Sequence, residues 1–260
     1  MSFSGWMEKL RRKKHRRDYQ RHRKHIKNRF GQGEDRFRAV QYFKELGGRE
    51  GCQGLLERFM VNVDPSIKDE DEKQNVFDIL VGFGSEVIPA VEAYLNRKDS
   101  ANVPITWPLK LLSTVAEPQE AVEVIERALN NLGTSYTREP ERKVLLVSQL
   151  AEYDHPDVVP ALIPFLRDHR DEVQLEALSA LTCRQDEAAR EAVLQLLVDE
   201  ETPARLRAAI AEALSGLGWT VKGYRKKVDA VLPEGLHVDR SGRIKGRWKH
   251  TTAGSYDEEG

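Results

Sequence analysis

Apolar residues recur along most of this chain at i, i+3, i+4 and i+7, the spacing that gives a helix one buried face. The segment Val87 to Leu95, VIPAVEAYL, returns as AVEVIERAL from Ala121, VVPALIPFL from Val158 and AREAVLQLL from Ala189; a weaker copy, CQGLLERFM, begins at Cys52. Successive copies are offset by 35, 34, 37 and 31 residues, a period that marks stacked repeats. Ahead of each copy lies a second apolar-periodic stretch: FRAVQYFKEL, NVFDILVGFG, PLKLLSTVA, KVLLVSQLA and EALSALT. RAAIAEALSGLG, ending at Gly218, opens a sixth pair. The pattern predicts an all-α fold, an α-solenoid of about five to six helical hairpins.

The connectors agree. Asp157, Asp171, Glu172, Thr202 with Pro203, and the run Asp69 to Glu72 stand at predicted helix starts, where side-chain oxygens and negative charge meet free amides. Gly47, Gly48, Gly84, Gly133 and Gly218 stand at predicted stops. Pro89 and Pro160 fall near the first turn of a second helix, where a missing N–H costs little, and Pro164 falls deep enough to kink its helix.

VIPAVEAYLNRKD, VVPALIPFLRDHRDEVQLEALSAL and PARLRAAIAEALSGLG resemble HEAT-type repeats, including the variant known from phycobilisome lyases, over about residues 34 to 218. That resemblance implies stacked helix pairs employed in protein recognition. A minority of the family are enzymes. The deoxyhypusine hydroxylase group uses paired His-Glu steps as iron ligands, and no His-Glu dipeptide occurs here. The related DNA glycosylases use an acid and tryptophans on the concave face, whereas Trp107 is the one tryptophan inside repeats three to five.

Charge changes the picture, because it is sorted along the chain although the total is only −1. Residues 1 to 30 hold twelve Lys/Arg against Glu8 and Asp18, residues 64 to 202 hold 13 basic and 28 acidic residues, and residues 203 to 250 hold 11 basic and 4 acidic. The layout is therefore read as a basic arm, helical or disordered, over 1–33, a repeat body over 34–218, a basic cap over 219–250 and a disordered tail over 251–260. In the cap, YRKKVDAVL reads as a short helix and LHVDRSGRIKGRW as a β-hairpin turning at Asp239 to Gly242.

Three sets of residues are candidates for binding. Arg11, Arg12, Lys13, Lys14, Arg16, Arg17, Arg21, Arg23, Lys24, Lys27 and Arg29 suit an anionic surface, with Tyr19, Ile26 and Phe30 as a thin apolar stripe that could dock the arm. Trp6, Met7 and Leu10 ahead of them make a short apolar face compatible with acidic lipid. Tyr19, Lys222, Tyr224, Arg225, Lys226, Lys227, Arg243, Lys245 and Trp248 suit nucleic acid, where cations meet phosphate and rings stack on bases. Glu92, Glu120, Glu123, Glu126, Glu187 and Glu191 recur on second helices and would either face solvent or line a groove for a basic partner, the arm itself included.

Other chemistry is sparse. His15, Asp18, His22 and His25 share one helical face at metal-ligand spacing, but ten net positive charges oppose a dication there. Glu152, Asp154 and His155 cluster at a turn, as capping chemistry does. No nucleophile elbow, phosphate-binding glycine loop or His-Glu-x-x-His helix is present. Cys52 and Cys183, without paired spacing, suggest two buried thiols in a reducing, cytoplasmic setting.

The leading expectation is a non-enzymatic scaffold without cofactor. It would hold a protein partner on the solenoid and tether to an anionic surface, nucleic acid or membrane, through the arm. The alternative is an RNA- or DNA-binding protein using arm and cap together, and a third is an enzyme of the repeat family with an unrecognised site. Removal of residues 1 to 30 loses no expected apolar core position, so it is expected to leave stability nearly unchanged.

Overall fold

The structure is a computed structural model that describes residues 3–97, 103–137, 140–184 and 186–246, with side chains from Met7 onward. The chain forms two compact units, Met1–Asn131 and Leu132–Gly260. In the first, α1 (Phe3–Ile26) precedes the pairs α2 (Gly33–Leu46) with α3 (Gly48–Leu56), α4 (Ser66–Val81) with α5 (Ile88–Leu95), and α6 (Thr106–Val115) with α7 (Pro118–Leu132), whose last residue opens the second unit. The second unit continues with α8 (Pro140–Ala151) and α9 (Val158–Leu162), α10 (Asp171–Thr182) and α11 (Glu187–Val198), and α12 (Ala204–Leu217) and α13 (Arg225–Val231). It closes on strands β1 (Leu236–Val238) and β2 (Ile244–Gly246). Each predicted hairpin is thus present, and the helices form two layers within each unit. First helices pack on first helices (α4 on α6; α8 on α10 on α12), and second on second (α3 on α5; α9 on α11 on α13).

The periodic apolar residues account for this packing. Leu80, Val91, Leu111 and Leu112 are sealed in the first unit and Leu146, Leu162, Leu181, Leu194 and Ile210 in the second, each 0% exposed. Gly218 stops α12 in the left-handed region at φ 70°, a conformation cheap only without a Cβ. Asp186 caps α11 by accepting from the backbone N–H groups of Ala188 and Ala189 at 2.7 and 3.2 Å. Thr202 does not cap α12; its hydroxyl donates to the Leu196 carbonyl at 2.6 Å. Pro164 breaks its helix outright: α9 ends at Leu162 and continues as a 3₁₀ segment, Ile163–Arg167, because proline supplies no N–H to the ladder.

The cap follows the sequence closely. β1 and β2 pair antiparallel with Leu236 opposite Gly246 and Val238 opposite Ile244. Val221, Val228, Leu236, Val238 and Ile244 are buried, with β2 against α12 and α13 against α11.

Two expectations are corrected. Cys52 is buried, but Cys183 is exposed at the end of α10. The arm is not dispensable to the core: Ile26 is 0% exposed and Tyr19 packs edge-on against Phe43, ring centroids 5.3 Å apart. Phe30, expected beside them, lies past the helix end and is 89% exposed.

Candidate functional site

Two interlocked stripes organise α1. His15, Asp18, Tyr19, His22, Arg23 and Ile26 fall at steps of 0, 3, 4, 7, 8 and 11 residues, and from Asp18 on they are partly or fully buried. Lys13, Arg16, Arg17, Gln20, Arg21 and Lys24 repeat the same steps two residues earlier, which turns them to the opposite face, and all six are exposed. The inner stripe is held by shape and charge together. His22 stacks on Tyr42 at 4.1 Å between centroids, and His15 meets Glu50 at 2.9 Å. Burial, then the neighbouring charges of Arg21 and His25, push the His22 imidazole below its usual pKa.

Glu57 is the anchor at the helix's C-terminal half. Arg23 donates to its Oε1 at 2.8 Å, Lys27 approaches Oε2 at 2.6 Å and Arg97 donates to Oε1 at 3.1 Å. Burial alone would raise this carboxyl, but the hydrogen bonds from Arg23 and Lys27 outweigh it and hold Glu57 below the usual range. Arg23 and Glu57 are 34 residues apart, one repeat period. The same period separates Glu92 from Arg127, which donates to it at 2.7 Å, and Asn96 from Asn131 at 2.8 Å. The buried half of α1 therefore stands where the second helix of a preceding repeat would stand. A cavity of about 280 Å³ lies beside this ladder, lined by Tyr19, Arg23, Gln53, Glu57, Tyr94 and Arg97.

The outer stripe is an exposed cationic ridge. Lys13, Arg16, Arg17 and Lys24 have no ion pair among the described residues. Arg21 lies only 3.8 Å from Asp18. The other arm cations divide. Arg11, Lys14 and Arg29 are exposed, Arg29 over the Phe30 ring at 4.9 Å; Arg12 pairs with Glu8 at 2.6 Å; Arg23 and Lys27 belong to the Glu57 anchor.

The remaining candidates are placed as follows. Tyr19 is held by Phe43. Tyr224 donates its hydroxyl to Glu191. Lys222, Arg225, Lys226, Lys227, Arg243 and Lys245 are exposed, Arg225 donating to the Val238 carbonyl at 3.2 Å, and Trp248 lies outside the described residues. Of the acidic set, Glu92 and Glu123 both face Arg127, and Glu187 and Glu191 both lie against Arg190. Glu120 is exposed and Glu126 half-buried. Four of the six carboxylates thus already face cations of their own unit.

Two buried networks escaped the sequence reading. Arg58, 0% exposed, donates to Asp69 at 2.7 Å and to Glu72 at 3.1 Å, while Lys73 pairs with Asp69 and Arg36 with Glu72. In the second unit Lys143 pairs with Asp168 at 2.7 Å. Among the described residues no group of three or more His, Cys, Asp or Glu could hold a metal ion. His15 and His22 point to Glu50 and Tyr42 rather than to each other.

The helix pairs define an all-α helical-repeat fold with a small C-terminal hairpin. Residues 135–215 match the family of HEAT repeats, so the repeats there are of the HEAT type. No curated protein matches the chain. A solved structure of human deoxyhypusine hydroxylase in complex with glycerol is similar at 16% identity over 78% of this chain and 86% of that one, with a TM-score of 0.28. A likeness that low carries no argument. No helix among the described residues is long and apolar enough to cross a membrane.

Proposed function

We propose that this protein is a non-catalytic HEAT-type scaffold that attaches to a polyanion through α1 while its repeats carry a protein partner. The observation that supports it is the division of α1: the inner stripe docks the helix on α2, and the outer stripe presents five cations from a preorganised backbone. A disordered tail of the same composition would have to be ordered on binding, at a cost in affinity. Unlike a solvated tail, α1 is built into the core.

A basic partner is not favoured, because Glu92, Glu123, Glu187 and Glu191 are answered within their own units. The finer likeness to the phycobilisome-lyase variant of HEAT repeats, carried by VIPAVEAYLNRKD, VVPALIPFLRDHRDEVQLEALSAL and PARLRAAIAEALSGLG, belongs to this reading as a protein-recognition role. A cytoplasmic location accompanies it, since unpaired Cys52 and Cys183 suit a reducing compartment.

The test is retention of the full chain on immobilised heparin at low salt. Wild type should be retained, and a variant with Arg17→Ala and Arg21→Ala should elute at clearly lower salt. Equal elution of the two would refute attachment through α1.

A further inference from the structure

We infer that the polyanion is duplex nucleic acid, gripped along its phosphate backbones by the ridge Lys13, Arg16, Arg17, Gln20, Arg21 and Lys24, without reading bases. This deepens the proposed attachment through α1 and rests on it.

Three observations separate a duplex from the other polyanions. A helix that lies on lipid must bury an apolar face in the acyl boundary. The apolar residues of α1 between Lys13 and Ile26 are Tyr19 and Ile26, and both are turned inward, on Phe43 and in the core. Single strands are held by stacking bases on aromatic rings. The ridge has no ring, and Tyr19 and Tyr224 are engaged elsewhere, by Phe43 and Glu191. What remains is phosphate chemistry from one continuous helix. From residue 13 to residue 24 the ridge spans about 17 Å at 1.5 Å per residue, enough to cross a major groove about 12 Å wide and reach the phosphates of both strands.

Gln20 at the middle of the ridge fits the same geometry as a neutral hydrogen-bonding group between the two cationic ends. Five of the six ridge side chains are exposed cations, so the contacts assigned to it are to phosphate, the sequence-independent part of nucleic-acid binding. Binding is therefore expected to be indifferent to sequence and steeply salt-dependent.

Met7 and Leu10, 37% and 44% exposed ahead of the ridge, are the lipid-compatible side chains that make a membrane arm of the experiment necessary. The full chain is titrated against a fluorescent 20-base-pair DNA duplex, against one of its single strands and against phosphatidylserine vesicles, at several salt concentrations. Five contacts predict a slope of log K on log salt of about −4.5 for the duplex. Removing two with Arg17→Ala and Arg21→Ala lowers the slope by about 1.8, which is a loss of about 60-fold at about 0.1 M salt. The pair Lys13→Ala and Lys24→Ala, at the ends of the ridge, provides the second variant and should do the same. Unchanged melting temperatures show that the variants fold, as exposed positions permit. Duplex binding undiminished in both variants, or tighter binding of the single strand, overturns the inference. Vesicle binding without duplex binding overturns it too, yet leaves attachment through α1 standing, whereas failure to bind heparin, duplex and vesicles removes both.

Discussion

Lys143 Nζ lies 2.7 Å from Asp168 Oδ2 with both side chains closed to solvent, 1% and 0% exposed. The ammonium also donates to the Ser135 carbonyl at 2.8 Å, and the other Asp168 oxygen accepts the Arg170 backbone N–H at 2.9 Å. The pair therefore ties the segment before α8 to the turn after α9. Removing one partner leaves a buried charge without compensation. Asp168→Ala should cost about 3 to 5 kcal/mol, and joint replacement by Lys143→Met and Asp168→Leu should recover most of it. Urea unfolding of wild type and the two variants checks both statements. A single variant as stable as wild type would show that the ammonium finds water.

The docking of α1 makes a second prediction, opposite to the expectation of a dispensable arm. Ile26→Ala should destabilise the first unit by about 2 to 5 kcal/mol, as truncation of a sealed aliphatic does. Ile67→Ala, at a side chain 76% exposed, should change stability by no more than about 0.5 kcal/mol. Denaturant midpoints give the comparison directly.

Acid should loosen the first unit early. Asp69 is buried and Glu72 half-buried, which would raise them, but hydrogen bonds from Lys73 and Arg58 to Asp69 and from Arg36 to Glu72 hold both below their usual range, as Arg23 and Lys27 do for Glu57. A carboxylate depressed in the fold contributes stability that is complete above its unfolded pKa, about 4 to 4.5, and lost as pH falls toward the lower folded value. His22, depressed by burial, acts in the same direction from about pH 6.5 downward, because the unfolded chain binds its proton first. Stability measured from pH 7 to pH 3 should thus fall in two stages, and Glu72→Gln should flatten the lower one.

The two thiols should differ in reactivity. Burial pushes Cys52 up to about 11, so it is neither ionised nor accessible near neutrality, while Cys183 is exposed. A disulfide reagent at pH 8 should titrate one thiol quickly and the second only on unfolding. Prompt reaction of both would mean that α3 opens under native conditions.

The repeats were legible because each hairpin restates the same apolar spacing: VIPAVEAYL and AVEVIERAL announce α5 and α7 without help from anything distant. The cap was legible for a similar local reason, with Asp239 to Gly242 turning between short apolar alternations. The role of α1 was hidden by its charge. Ten net positive charges mask an inner stripe whose members, His15, Asp18, Tyr19, His22 and Arg23, are polar or amphipathic and become a packing surface only beside Tyr42, Phe43 and Glu57. The stripe spacing was present in the sequence, but its partners lie 20 to 35 residues away. Lys143 and Asp168 were illegible for the same cause: 25 residues separate them, and neither residue type signals burial by itself. Cys183 was misjudged because it stands just past the end of α10, exposed although the adjacent Leu181 and Thr182 are still buried.

The inner stripe of α1 makes a handle where the charge pattern alone predicts a leash. A flexible 30-residue tail would let its load wander over about 30 Å, so that attachment would fix neither direction nor distance. With α1 seated on α2 and anchored through Glu57, whatever grips the outer stripe is held at one distance and angle from α3 and α5. A partner carried on those helices would meet the polyanion in a single pose, at an effective concentration that is either very high or nil according to whether its own site points the right way.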